Sequence, residues 1–284
     1  MPEYGQLPQY LGDIMNVTEL KMVEILQRGR ENYGIVSVKA EFEAEGTRVD
    51  ELLRLIDVIR AAGLPLTVKI GGCEAIRDLL EAKLFGVRYV VAPMVETAYA
   101  GSKFSDAKNL VFNKQEQEHT DFLFNLETIT GFNNRVELMD STSGENGVDG
   151  VVFGRVDFVG SQGKSRDAIN LPETTEYILE IAKLARDKKM QLVMGGGVSI
   201  ESLDVIQQVT DVHLDRFETR KVVFDAKKAL SGDIESGLLD AVQFELLWLE
   251  NKRDYYANIA SEDKKRIEML SARWEELKHR HSVR

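Results

Sequence analysis

Glu127 and Asp157 are the residues whose placement points to chemistry first. Glu127 ends the stretch Phe124-Asn125-Leu126-Glu127-Thr128, and Asp157 ends Phe153-Gly154-Arg155-Val156-Asp157. Each is an apolar run that reaches a carboxylate where a helical pattern begins. A strand that stops at an acid and turns into a helix puts the acid at the carboxyl edge of a parallel sheet, where α/β folds keep their chemistry. Two such acids on neighbouring strands suit one hard divalent cation, with water and substrate oxygens in the remaining positions. Taken singly, each also reads as a helix N-terminal acid favoured by the dipole.

Other charged strand ends extend the candidate site. Lys69 closes an apolar strand, which suits an oxyanion clamp, a salt bridge, or an imine-forming lysine; Lys39 ends an earlier strand in the same way. Glu43 and Glu45 lie in an acid-rich turn, where one of them would serve as a proton carrier and a solvated loop is the plain alternative. Arg48 either pairs with these acids or reaches a substrate carboxylate. Gly71 and Gly72, and Gly195 with Gly196 and Gly197, expose backbone N–H groups that suit an anion or simply make tight turns. Glu96 reads as a helix-start acid, and Arg216, Glu218 and Arg220 as a structural ion network past the last strand. Cys73 reads as a passive thiol. No His has a partner at ligand spacing, and no Cys/His cluster points to zinc.

The elements that must position these residues alternate. Strands are predicted at Ile35–Glu41, Leu66–Ile70, Tyr89–Ala92, Phe122–Leu126, Gly150–Gly154, Gln191–Met194 and Val212–Leu214, with Asn109–Phe112 as an eighth. Helical periodicity falls between them, including Thr97–Lys108 and Thr219–Leu230. Strands spaced by helices of this length make a parallel sheet. The 284 residues suit one (β/α)8 TIM barrel, typically about 250 residues. A polar lead, Met1–Gly12, precedes it. The barrel domain is expected over 1–232, and a C-terminal helical hairpin over 233–284, with helices at Ile234–Tyr256 and Ser261–His279. Trp248, Leu249, Tyr255 and Tyr256 make the hairpin an expected homo-oligomer contact, packing on its own barrel being the alternative.

Composition narrows the partners. Net charge of −11 opposes nucleic acid binding. A single cysteine excludes an internal disulfide and fits a reducing, cytoplasmic compartment. No secretory leader is expected, and no apolar run approaches the ~20 residues that cross a bilayer.

Three motifs in order carry a resemblance. Pro65-Leu66-Thr67-Val68-Lys69-Ile70-Gly71-Gly72 followed by Val90-Val91-Ala92-Pro93-Met94-Val95-Glu96-Thr97, then Asn125-Leu126-Glu127-Thr128, then Gly150-Val151-Val152-Phe153-Gly154-Arg155-Val156-Asp157-Phe158 resemble the 2-oxo-acid (HpcH/HpaI-type) aldolase and citrate lyase β-subunit family. The resemblance spans Ile35 to Leu230. It implies the pyruvate/phosphoenolpyruvate version of the TIM barrel, with Glu127 and Asp157 binding Mg²⁺ or Mn²⁺ and a pyruvate-like substrate chelated through its carboxylate and carbonyl. Two departures stand out. Lys69 occupies the place of the family's Arg, and an ammonium does not clamp an oxyanion bidentately. Glu43-Ala44-Glu45-Gly46 replaces an acidic-His-Gly turn, leaving Glu45 or Glu43 to move the proton.

The expected function is a divalent-metal carbon–carbon lyase or condensing enzyme working through the enolate of a 2-oxo acid. The rivals are a non-catalytic ligand-binding or scaffolding barrel and a Schiff-base aldolase using Lys69.

Overall fold

The computed structural model describes residues 15–282. Eight strands close a barrel in sequence order: β1 (Ile35–Glu41), β2 (Leu66–Lys69), β3 (Tyr89–Ala92), β4 (Asp121–Leu126), β5 (Gly150–Gly154), β6 (Gln191–Gly195), β7 (Arg216–Glu218) and β8 (Val222–Asp225). Strands β1 to β7 run parallel. Strand β8 runs antiparallel to both β7 and β1.

The period-two rule sorts side chains into two cores. Val90, Phe122, Phe124, Val151, Phe153, Leu192 and Met194 face outward into the helices and belong to the main core. Val91, Leu123, Val152 and Val193 form a separate inward cluster that plugs the barrel. The same parity turns Lys39, Glu41, Lys69, Asn125 and Glu218 inward above that plug. The helices that follow the strands start on side-chain caps where the sequence provides them. Thr97 accepts from the Ala100 N–H at 3.1 Å, and Thr128 from the Gly131 N–H at 3.0 Å.

The last third of the chain departs from the sequence reading. Val212 ends the helix Leu203–Val212, and His213 caps it by donating its N–H to the Val209 carbonyl at 2.8 Å, so Val212–Leu214 is not a strand. Earlier in the chain, Asn109 to Val111 end the helix Ala98–Val111 and Phe112 caps it, so this stretch is not a strand either. The predicted helix Thr219–Leu230 divides into β8 and the short helix Ala226–Ser231. The turn between β7 and β8 is closed by Thr219, whose hydroxyl accepts from the Val222 N–H at 3.1 Å. The expected C-terminal hairpin is one continuous helix, Ile234–Ser282, of 49 residues. Positions 238–282 contain neither Gly nor Pro, and Ser261 alone does not break a helix. The polar lead Met1–Gly12 lies outside the described residues.

Reversal of β8 sets the direction of that helix. Gly237 lies against Tyr33 and Phe224 near the amino end of β1, whereas Glu245 approaches Arg220 in the β7–β8 turn at 4.0 Å. Further on, the Tyr256 hydroxyl accepts from Arg48 Nε at 2.9 Å and donates to Glu51. The helix therefore climbs the outside of the barrel and continues past its carboxyl-end mouth. Beyond Tyr256 every described residue is exposed. Among the described residues, no helix is long and apolar enough to cross a membrane.

Candidate active site

The carboxyl ends of the parallel strands open into a cavity of about 780 Å³. Glu127, Asp157, Asn125, Lys69, Lys39 and Glu41 line it, together with Glu43, Gly195, Gly196, Gly197, Arg166 and Glu218. Leu238, Leu239, Val242 and Glu245 of the long helix form one wall.

Glu127 is 3% exposed and held from three sides. Its Oε1 accepts from the Met94 N–H at 3.1 Å and lies 3.6 Å from Lys69 Nζ, and its Oε2 accepts from Asn125 Nδ2 at 2.6 Å. Met94 holds a left-handed backbone (φ 51°) that aims its N–H at the carboxylate, and such strain concentrates at functional sites. Gly154 lets Glu127 pass, since a Cβ there would sit 2.6 Å from Oε2. Burial pushes the Glu127 carboxyl above its ordinary value and Asp157 adds to this, while Lys69, Asn125 and Met94 work against it.

Asp157 sits in the first turn of the helix Arg155–Ser161 and is exposed to the cavity. It makes no hydrogen bond or ion pair among the described residues, so helix capping does not consume it. Asn125 Oδ1 is buried without a hydrogen-bond partner beside Glu127. An orphaned buried acceptor calls for a donor or a cation. Among the described residues, no three His, Cys, Asp or Glu side chains gather at one point. Two carboxylates and a neutral oxygen, with open positions, still fit an oxygen-loving dication.

Lys69 Nζ lies 3.1 Å from Glu43 Oε2. Burial works to lower its pKa, but Glu127, Glu43 and Glu41 outweigh burial and hold the ammonium above its ordinary value. An imine-forming lysine needs the neutral amine, so these neighbours oppose that chemistry. Deeper in the mouth, Lys39 bridges Glu218 at 2.5 Å and Glu41 at 3.2 Å.

These residues sit on a recognisable barrel, and its sequence from 36 to 210 matches the HpcH/HpaI aldolase/citrate lyase profile. The chain belongs to the HpcH/HpaI aldolase/citrate lyase family. Membership gives it a lyase or aldolase role. Solved structures agree in fold. An HpcH/HpaI aldolase from Desulfitobacterium hafniense DCB-2 is 13% identical over 72% of this chain and 83% of its own, with a TM-score of 0.58. An HpcH/HpaI aldolase/citrate lyase family protein from Burkholderia cenocepacia J2315 is 14% identical over 83% and 92%, with a TM-score of 0.55. A citrate synthase variant, SbnG, is 15% identical over 79% and 89%, with a TM-score of 0.50. No curated protein sequence matches the chain.

Of the residues expected from sequence, Glu127, Asp157, Lys69, Glu43, Gly195 and Gly196 meet at this family barrel's cavity. Four do not line it. Glu45 is bound by Lys221 and by Arg220 at 3.3 Å, because the β7–β8 turn delivers two cations beside it. Arg48 stacks over the Tyr256 ring at 4.3 Å and is held by the long helix. The Gly71 N–H donates to Asp78 at 2.7 Å and so serves its own turn, and Gly72 stands beside it outside the cavity. Sequence reasoning missed Asn125, Glu41 and Arg166. Asn125 and Glu41 had a visible signal, a polar side chain on the inward parity of an apolar strand and an acid that ends one.

Arg155 anchors the loop after β6. Its guanidinium is fully buried and donates to the Gly195 carbonyl at 3.2 Å, Asn170 at 2.7 Å and the Ser202 hydroxyl at 3.2 Å. Burial without an acid partner brings its pKa down to about 10. Gly196, at φ +82°, passes so close that a Cβ would sit 2.7 Å from the Arg155 and Val156 amide nitrogens.

Proposed function

We propose that this chain is a divalent-metal-dependent carbon–carbon lyase or condensing enzyme acting through the enolate of a pyruvate-like 2-oxo acid. The observation that carries this reading is the convergence of Glu127, Asp157 and the unpartnered Asn125 Oδ1 beside one charged lysine in one cavity. Glu127 and Asp157 would hold Mg²⁺ or Mn²⁺, which supplies a Lewis acid for the oxygen on which enolate charge develops. Lys69, kept protonated by its carboxylates, binds the substrate's carboxylate or oxyanion as a point charge. Glu43, which lines the cavity 3.1 Å from Lys69 Nζ, would move the proton. Leu238, Leu239 and Val242 give the cavity one apolar wall.

The test is exchange of pyruvate methyl protons with D₂O, followed by NMR in the presence of Mg²⁺ or Mn²⁺. Metal-dependent exchange is expected. Absence of exchange with either metal would overturn the enolate reading. The citrate synthase fold neighbour supports including condensation beside cleavage.

A further inference from the structure

We propose that the long helix pairs with the same helix of a second copy as an antiparallel coiled coil centred on residue 258, and that each partner's tail covers the other's cavity wall.

The pattern is in the seam positions. From Leu239 onward, residues 239, 242, 246, 249, 253, 256, 260, 263, 267, 270, 274 and 277 recur at alternating steps of three and four, the repeat of a left-handed coiled coil. The seam divides into three parts. Leu239, Val242, Leu246 and Leu249 form a first apolar quartet, 50–69% exposed. Ile267, Leu270, Trp274 and Leu277 form a second, 49–63% exposed. Arg253, Tyr256, Ala260 and Asp263 lie between. Residues 257–282 touch nothing that buries them. A helix standing alone in water gains little stability from propensity, and two exposed apolar quartets on one face mark an interaction surface.

Three features of the chain select the partner and its direction. An antiparallel copy with its two-fold axis at residue 258 sets Leu239 against the partner's Leu277 and Val242 against the partner's Trp274. It likewise sets Leu246 against the partner's Leu270, and Leu249 against the partner's Ile267. Each quartet is therefore covered by the other quartet of the second copy. In the middle, Arg253 meets the partner's Asp263, an attractive pair made twice by symmetry. Tyr256, whose ring Arg48 already stacks on, meets the partner's Ala260, a small residue that leaves it room. A parallel pair would instead stack Arg253 on the partner's Arg253 and Asp263 on the partner's Asp263, two like-charge layers that charge patterning disfavours. Among the described residues Arg253 pairs with its neighbour Asp254, at 2.9 Å, with both side chains about two-thirds exposed; such a surface pair is worth little and does not compete. Asp263 has no partner among the described residues.

The seam from 239 to 277 is about 57 Å long at 1.5 Å per residue. Its first layers coincide with the cavity: Leu239 and Val242 are both seam positions and cavity-lining residues. The partner's Leu277 and Trp274 therefore land on the wall of the catalytic mouth, and each copy finishes the other's site.

The test reads mass, so its outcome is separable from that of the enolate chemistry. Sedimentation of the full chain at tens of micromolar is expected to give two chains or an even multiple. Arg253→Asp and Asp263→Arg each place like charges in both central layers and are expected to weaken association at least tenfold. The double variant Arg253→Asp with Asp263→Arg restores opposite charges across the antiparallel seam and is expected to recover association. A parallel coil keeps like-charge layers in all four proteins and shows no such loss and recovery. A monomeric or odd-numbered wild type, single variants that associate as the wild type does, or a double variant that fails to recover would each overturn the proposal. Both positions are exposed and outside the barrel, so unchanged thermal unfolding of the barrel serves as the folding control.

Discussion

Replacing Lys39 by Met tests whether the charged floor of the cavity is held as a unit. Lys39 Nζ sits 2.5 Å from Glu218 and 3.2 Å from Glu41, and all three side chains are 8–11% exposed. At an effective dielectric near 20, these contacts attract by about 7 and about 5 kcal/mol. Desolvating three charges takes most of that back. Removing the ammonium alone keeps the desolvation cost and loses the attraction, so about 3–5 kcal/mol of stability should disappear at pH 7. With a urea slope of about 3 kcal/mol/M, the unfolding midpoint falls by roughly 1–2 M.

The pH dependence carries a sign that a simple packing loss would not. Burial opposes the charge on Lys39, but Glu218 and Glu41 outweigh it and hold its pKa above the ordinary 10.5. Its contribution is therefore full below about 10.5 and lost only in stronger alkali. Burial pushes the Glu41 carboxyl up, yet Lys39, then Lys69 and Arg220, bring it below the ordinary 4.5. Its contribution is present above about 4.5 and fades in acid. In Lys39→Met the main lowering influence on Glu41 is gone and burial prevails, so protonation now relieves a cost. The stability gap between wild type and variant should narrow as pH falls from 7 towards 5. A gap under 1 kcal/mol, or one that stays constant or widens in acid, would refute the reasoning. Adding Glu218→Gln to the variant should recover part of the loss.

Two further outcomes are expected. Glu127 carries a raised pKa, which costs stability above its ordinary 4.5; Glu127→Gln should therefore raise metal-free stability at pH 7 by about 1 kcal/mol while abolishing metal-dependent proton exchange, and a variant that is destabilised or still active would contradict the assignment. Gly196→Ala meets both a left-handed backbone and two amide nitrogens at 2.7 Å, so calorimetry should show a melting temperature lower by about 3–10 °C, and an unchanged melting temperature would show that the loop yields freely.

The sequence was legible where one signal dominated. Strands β1 to β6 are apolar runs with helices between them; Lys69 ends β2, Glu127 follows β4 directly, and Asp157 lies in the first turn of the helix after β5. It was opaque where short elements meet. Strand β7 is only Arg216–Glu218, and its inward glutamate is satisfied by Lys39, 179 positions away. Nothing local marks such a charge as interior. The four-residue run Val222–Asp225 fits a helix or a strand equally by periodicity, and only pairing on both sides decides it. Glu45 and Arg48 looked like site residues because their true partners, Lys221 and Tyr256, come from the far end of the chain. Ser261 resembled a helix start, but nothing before it ends the preceding helix.

One reversed strand also fixes where additions to this molecule emerge. Because β8 descends, everything after it ascends, and the residues from 250 to 282 form a mast about 50 Å tall at 1.5 Å per residue. The mast rises from the side on which the cavity opens rather than the opposite pole. A tag or fused protein joined beyond residue 282 would emerge on the side where the cavity opens, so its length and bulk become variables in any rate measured on such a fusion.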